Sequence, residues 1–121
     1  SLAAFLKAED YRGKGLAPKK VGFIKAHPAA DVRCLAGPDL CFLWVYNFYS
    51  ALRLVQEKNE IQDLCLLLPG LKQGKYRVEW WDTRTGRPFQ VEEATCGETG
   101  LVLKVPAFTE DLAAKVKYCH D

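Results

Sequence analysis

The sequence has few of the residues that catalytic and metal sites use. It contains two histidines among 121 residues; His27 precedes a proline, and His120 lies one residue from the end. No sequence pattern places either histidine against a nucleophile or a catalytic carboxylate, so both are expected to be solvated. The sequence also lacks a glycine-rich phosphate loop, a G-x-S-x-G motif and a cluster of metal ligands. We therefore expect no catalytic residue, no cofactor and no metal in this chain.

The five cysteines follow no pattern typical of a zinc site or of a complete disulfide framework. Their number is odd, no C-x-x-C spacing occurs, and no histidine pair lies near them in the sequence. The simplest interpretation is that they are small hydrophobic residues in strands. This usage favours a reducing, cytoplasmic compartment.

Charge and hydropathy point to no particular partner. The net charge is +2, and interspersed basic and acidic residues form neither the basic stripe of a nucleic-acid binder nor an acidic tail. No apolar run approaches the roughly 18 residues needed to span a bilayer. The opening residues Ser1–Leu6 lack the basic start of a signal peptide. From these features we expect no nucleic-acid partner and no membrane association.

Length and turn spacing predict one all-β domain. Hydrophobic residues make up 49% of the chain, which is enough for a two-layer core. Residues 1–19 are expected to be a linker or irregular lead-in, and residues 20–121 the domain. The strands are predicted at Lys20–Ala26, Asp31–Ala36, Leu40–Asn47, Glu60–Leu68, Lys75–Asp82, Arg87–Glu93, Leu101–Val105 and Leu112–Tyr118. About eight short strands separated by turn residues are typical of an antiparallel β-sandwich, immunoglobulin-like or similar.

The most informative stretch is GKYRVEWWDTRTG, at residues 74–86. Alternation along a strand places Tyr76, Val78 and Trp80 on one face. Trp80 is therefore predicted to lie in the core, and Trp81, on the other face, to be at least partly exposed. Asp82 can accept hydrogen bonds from amides two or three residues on, and Gly86 can adopt a positive φ. The stretch thus predicts a hairpin whose second strand is Arg87–Glu93.

The second predicted strand pair also carries specific expectations. Leu40–Asn47 is apolar on both faces, as a central strand would be, and Trp44 is expected in the core beside Trp80. If Gly37 and Pro38 alone form the loop before it, Cys34 lies directly opposite Cys41. The two thiols would then be neighbours that can cross-link under oxidation.

Residues 74–86 and 105–117 resemble a known family of domains. The first segment follows the pattern G-x-Y-x-V-x-W-x-D-x-x-T-G, and the second follows P-x-F-x-x-D-x-A-x-K-V. The matching residues are Gly74, Tyr76, Val78, Trp80, Asp82, Thr85, Gly86, Pro106, Phe108, Asp111, Ala113, Lys115 and Val116. The patterns are similar to those of the small C-terminal β-sandwich appended to (β/α)8-barrel glycoside hydrolases, including cellulase-like and apiosidase-like enzymes.

This resemblance implies a non-catalytic accessory domain that packs against or stabilises an upstream catalytic barrel. The acid and nucleophile carboxylates would lie on that barrel. Two alternatives remain open: a carbohydrate-binding module in which Trp81, with Tyr49 or Phe48, contacts a polysaccharide, and an immunoglobulin-like protein-interaction module. For Trp81 itself, the options are contact with the barrel, contact with carbohydrate, or a scattered surface aromatic.

Overall fold

A computed structural model describes residues 16–48 and 60–120 of the chain, and this part consists mainly of strands. The strands are β1 (Ala17–Pro18), β2 (Gly22–Lys25), β3 (Ala30–Ala36), β4 (Leu40–Asn47), β5 (Cys65–Leu68), β6 (Gly74–Asp82), β7 (Arg87–Cys96), β8 (Leu101–Lys104) and β9 (Asp111–Tyr118). They form a large sheet in the order β1-β3-β4-β9-β6-β7 and a small sheet in the order β2-β5-β8. All neighbouring strands are antiparallel. The predicted all-β sandwich is confirmed.

The main core lies between the two sheets. Along the central strands of the large sheet, alternate residues point inward, and Trp80 and Val78 of β6 are fully buried there. The small sheet supplies Leu66, Leu68, Leu101 and Leu103, which are also completely or almost completely buried. Burying one such side chain is worth about 1.5–3 kcal/mol, so this layer is the main source of stability.

The last strand in the sequence, β9, lies in the middle of the large sheet. It pairs with β4 on one side and with β6 on the other. β4 lies between β3 and β9, which confirms the central position expected from its two apolar faces. The two predicted hairpins, β3–β4 and β6–β7, are therefore joined only through β9.

Most strands differ from the prediction by one to three residues at one or both ends, and two segments differ more. Glu60–Leu68 is not one strand: Ile61 makes an isolated bridge to Phe108, and Asp63 has a positive φ of 60° that turns the chain before β5 begins. Within the predicted lead-in, β1 pairs with the end of β3. Pro18 is tolerated in β1 because an edge strand has one side without a ladder partner. Residues 1–15 lie outside the described residues.

The register of the β3–β4 hairpin was predicted wrongly by two residues. Ala36 pairs with Cys41, so four residues separate the paired positions, and the Gly37 amide donates a hydrogen bond to the Leu40 carbonyl. Cys34 therefore faces Leu43 rather than Cys41. A shift of two residues keeps every side chain on its face. The two cysteines still share the inner face, as diagonal neighbours with their Sγ atoms 3.1 Å apart.

The core position predicted for Trp80 is confirmed, and the one predicted for Trp44 is wrong. Trp80 is 0% exposed. Trp44 pairs with Ala113, whereas the inner face of β9 carries Ala114, so Trp44 lies half-buried on the outer face of the large sheet. Both faces of β4 are apolar, and for this reason composition alone assigned the wrong face.

Candidate functional site

The hairpin turn that follows β6 has the geometry that its sequence predicts. One carboxylate oxygen of Asp82 accepts hydrogen bonds from the amides of Arg84, at 2.8 Å, and Thr85, at 3.3 Å. Gly86 has a φ of 67°, and its amide donates to the Asp82 carbonyl. A positive φ costs glycine little, so this residue reverses the chain without strain. The turn is thus fixed by its own residues.

Asp111, at the start of β9, connects three strands beside this turn. Its Oδ2 accepts a hydrogen bond from Trp44 Nε1 at 3.0 Å, and its Oδ1 accepts one from the hydroxyl of Thr83. Trp44 belongs to β4, and Thr83 follows β6 directly. The segment that leads into β9 is also bound by Asn47 of β4, whose Nδ2 donates to the Thr109 carbonyl at 3.2 Å. The two sequence patterns therefore meet in one hydrogen-bonded network.

We call this part of the molecule the hairpin end, and it comprises Phe48, residues 83–89 and residues 107–111. A cavity of about 240 Å³ lies here, and its lining includes Arg84, Phe89 and Asp111. Two aromatic rings reach the surface, since Phe48 is 42% exposed and Phe89 is 53% exposed. The hairpin end therefore combines exposed apolar rings with charged groups.

Phe89 was not recognised from the sequence. It is the extra residue of a β-bulge, because Trp80 pairs with Gln90 while Trp81 pairs with Pro88. A bulge re-aims the side chain that it inserts. Pro88 was the available signal, since a proline inside a strand marks an edge or a bulge.

The predicted exposure of Trp81 is wrong. Its face was assigned correctly, because Trp81 pairs with Ala113 on the outer side of the large sheet. Its exposure is only 8%, however. The outer face carries an apolar cluster of its own, in which Trp81 packs with Phe42, Leu40 and Ala113. A strand position that faces away from the main core is therefore not always a surface position.

Charged side chains surround the Trp81 ring. The Nζ atom of Lys115 lies 4.2 Å from the ring centroid, the distance of a cation–π contact. Trp81 Nε1 donates to Glu79 Oε1 at 3.3 Å. The second oxygen of Glu79 lies 3.3 Å from Arg77 Nε and 3.9 Å from Lys117 Nζ. The indole is therefore already engaged by groups of its own chain, on its face and at its nitrogen.

Of the three predicted contact residues, Trp81 and Phe48 lie in the described part of the chain and Tyr49 lies outside it. Phe48 follows β4 directly and donates its amide to the Ala29 carbonyl. Trp81 is on β6, and β9 runs between β4 and β6. The structure thus places the two side chains apart: Phe48, just after β4, is exposed at the hairpin end, and Trp81, on β6, is buried on the outer face.

Each of the three tryptophans donates its indole N–H to a carboxylate. Trp44 donates to Asp111, Trp80 to Glu92 at 2.9 Å, and Trp81 to Glu79. A buried indole N–H needs an acceptor, so each of these carboxylates has a structural task. Within residues 16–48 and 60–120, no three His, Cys, Asp or Glu side chains group together as metal ligands. The same residues include no helix long and apolar enough to cross a membrane.

Comparison of the chain with protein-family models, with curated proteins and with solved structures finds no match in any of the three.

Proposed function

We propose that this chain is a non-catalytic accessory domain of a glycoside hydrolase and that it packs against an upstream catalytic barrel. The observation that carries the proposal is the meeting of the two family-like segments at the hairpin end. Asp82 of the first segment forms the turn, and Asp111 of the second binds Thr83 within it. These residues support one another in space, as expected if the patterns are inherited together and do not coincide by chance.

The hairpin end is the proposed contact surface. Interfaces between domains of one chain are of moderate size and more polar than obligate interfaces. Phe48 and Phe89 offer apolar anchors, and the exposed Arg84 and Arg87 offer charged partners for carboxylates on a barrel. Trp81 is not part of this surface, since its ring is buried in the outer-face cluster. Its packing in that cluster fixes the end of β6, from which the turn of the hairpin end begins.

The alternative of a carbohydrate-binding module depends mainly on Trp81, and Trp81 is buried. Stacking of a sugar on an indole needs an accessible ring face, and Lys115 lies over the ring of Trp81. Of the three candidates for this function, Phe48 alone is exposed in the described part. Within the described residues, the predicted stacking surface is therefore reduced to the phenyl ring of Phe48, which is a small platform for a polysaccharide.

The first test compares the isolated chain with the full-length polypeptide encoded by its gene. The isolated chain should hydrolyse no aryl glycoside or polysaccharide above background, whereas the full-length protein should. Calorimetry with soluble oligosaccharides should show weak binding or none. Turnover by the isolated chain would overturn the proposal. Saturable, tight oligosaccharide binding that is lost in Phe48→Ala would instead establish a binding module.

The second test examines the contact surface in the full-length protein. Phe89→Ser should loosen the packing of the two domains and speed proteolytic cleavage between them, because it removes an apolar anchor. Val102→Ser is the matched control, since Val102 is 47% exposed but lies on the small sheet. Equal cleavage rates for both variants and the parent protein would show that the hairpin end is not the interface.

A further inference from the structure

Cys34 of β3 and Cys41 of β4 form a close pair of thiols. Their Sγ atoms are 3.1 Å apart, and the side chains are 6% and 1% exposed. Both lie on the inner face of the large sheet, next to the edge where β1 pairs with β3. Of the described cysteines, Cys96 is also buried, whereas Cys65 and Cys119 are partly exposed.

A cavity of about 740 Å³ gives access to one member of this pair. It runs beside β3, and its lining includes Cys34, Lys19 and Phe23. β1 and β3 lie at one edge of the large sheet and β2 lies at an edge of the small sheet. The cavity therefore opens at the side of the sandwich. Cys34 lines it and Cys41 does not, so a small reagent reaches Cys34 first.

The surroundings give the two sulfurs different chemistry. The hydrogen bond between the two sulfurs lowers the pKa of Cys34, because a Cys34 thiolate can accept a hydrogen bond from the Cys41 thiol, and the positive charge of Lys19 acts in the same direction against the effect of burial. The same hydrogen bond, together with burial, raises the pKa of Cys41 well above its usual value. Since the thiolate is the nucleophilic form, Cys34 is the attacking residue and Cys41 the residue that keeps its proton.

Lys19 is held beside this pair. Its amide donates to the Cys34 carbonyl at 3.0 Å. Its Nζ lies 2.9 Å from the position that a Cβ on Gly70 would occupy. Gly70 belongs to the turn after β5, so the Lys19 side chain reaches from the large sheet towards the small one. The cation is thereby positioned at the cavity that leads to Cys34.

We propose that Cys34 and Cys41 are a reversible redox site, which small disulfides oxidise through this lateral cavity. The Cys34 thiolate attacks one sulfur of a disulfide R–S–S–R, so that a mixed disulfide forms and one R–S⁻ leaves and takes up a proton. Cys41, on losing its proton, attacks Cys34 Sγ and releases the second R–S⁻, which is protonated in turn. The two cysteines lose two electrons and two protons, and the small disulfide becomes two thiols.

The register makes this bond reversible. Diagonal neighbours across two strands are farther apart at Cα than directly opposed residues, at about 7–8 Å, and an unstrained disulfide needs less than about 7 Å. Closing the bond therefore draws β3 and β4 together beside the loop that follows Ala36. A disulfide that requires such movement is more easily reduced than a permanent structural one. A small thiol should reopen it.

The test uses the full chain with Cys65→Ser and Cys119→Ser, which removes the two more exposed thiols. After treatment with 2-hydroxyethyl disulfide, intact mass should show loss of two hydrogens with no retained adduct. Thiol titration in denaturant should show two fewer thiols, and dithiothreitol should restore both. Retention of all thiols, or formation of disulfide-linked dimers in place of the internal bond, would overturn the proposal.

Single variants in that background test the assigned roles. Cys41→Ala should trap a stable mixed disulfide on Cys34, because no second thiol can resolve it. Cys34→Ala should gain no adduct, because Cys41 does not line the cavity. Lys19→Gln should slow the oxidation severalfold, with circular dichroism confirming an unchanged fold. Equal adduct formation by the two cysteine variants would show that access through the cavity does not select Cys34.

Discussion

Each of the three tryptophans is fixed by a different carboxylate, and this pairing explains both what the sequence predicts and what it does not. Strand alternation assigns Trp80 to the core, because the alternation is local. The acceptor of its N–H, Glu92, lies on the neighbouring strand, and Asp111, which binds Trp44, is 67 residues away in the chain. Such partners are set by tertiary packing, so local alternation predicts the faces of Trp80 and Trp81 but neither the face of Trp44 nor the acceptors of the N–H groups.

Truncation of the two adjacent tryptophans should destabilise the protein unequally. Trp80→Ala removes the largest fully buried side chain and should lower the free energy of unfolding by about 3–5 kcal/mol. Trp81→Ala removes a ring that packs on Phe42 and under Lys115, and should cost about 2–3 kcal/mol. Urea denaturation measures both. A cost below about 0.5 kcal/mol for Trp81→Ala would contradict its place in the outer-face cluster.

Tyr76 should make stability depend on alkaline pH. Its hydroxyl donates to the Lys72 carbonyl at 2.7 Å, and burial raises the pKa of Tyr76 from 10.0 to about 12. Below pH 10 the phenol is neutral in both states, so its contribution is fully present. Between pH 10 and about 12 the unfolded chain loses this proton first, and stability falls as pH rises.

Denaturation series at neutral and alkaline pH check this dependence. Tyr76→Phe should cost about 1 kcal/mol at neutral pH through the lost hydrogen bond and should flatten the alkaline decrease. An equally steep decrease in Tyr76→Phe would assign the effect to other groups.

At the scale of elements, the sequence predicts hairpins better than their registers. The hairpin after Asp82 was predicted in detail, because Asp82 and Gly86 act through local hydrogen bonds and a local φ. The β3–β4 register was two residues off, because loops of two and of four residues leave every side chain on the same face. Alternation cannot distinguish these registers.

The turn between β7 and β8 provides a matched pair of glycines. Gly100 has a φ of +130°, and a Cβ there would lie 2.4 Å from the Leu68 carbonyl oxygen. A Cβ on Gly97 would meet nothing within 4 Å. Gly100→Ala should therefore destabilise the protein by at least about 2 kcal/mol, and Gly97→Ala by no more than about 0.5 kcal/mol. Thermal unfolding of the two variants gives the comparison, and similar midpoints would contradict this account of the turn.

At the scale of the whole molecule, the fold class follows from turn spacing and strand periodicity, but the position of each strand does not. Nothing local in Asp111–Tyr118 indicates that it lies between β4 and β6, and its outer face holds the buried Lys115. The outer-face cluster around Trp81 exists only once β4, β9 and β6 are side by side. The predicted exposure of Trp81 is wrong for this reason, because the burial of Trp81 is a property of the assembled sheet.

This topology predicts that the chain cannot fold without its last strand. The β3–β4 and β6–β7 hairpins share no ladder hydrogen bonds and meet only through β9. Isolated hairpins are marginally stable in water, so removal of residues 111–121 should abolish cooperative unfolding and leave tryptophan fluorescence like that of the denatured chain.

Removal of His120 and Asp121 is the control for this truncation. It deletes the exposed contact of His120 with Asp39 at 3.5 Å and the edge-to-face contact of the His120 ring with Tyr118, and should change stability by less than about 1 kcal/mol. A cooperative transition in the longer truncation would mean that the two hairpins associate directly. In the structure they lie on opposite sides of β9, and without that strand the inner face of the small sheet would lack the continuous layer against which it packs.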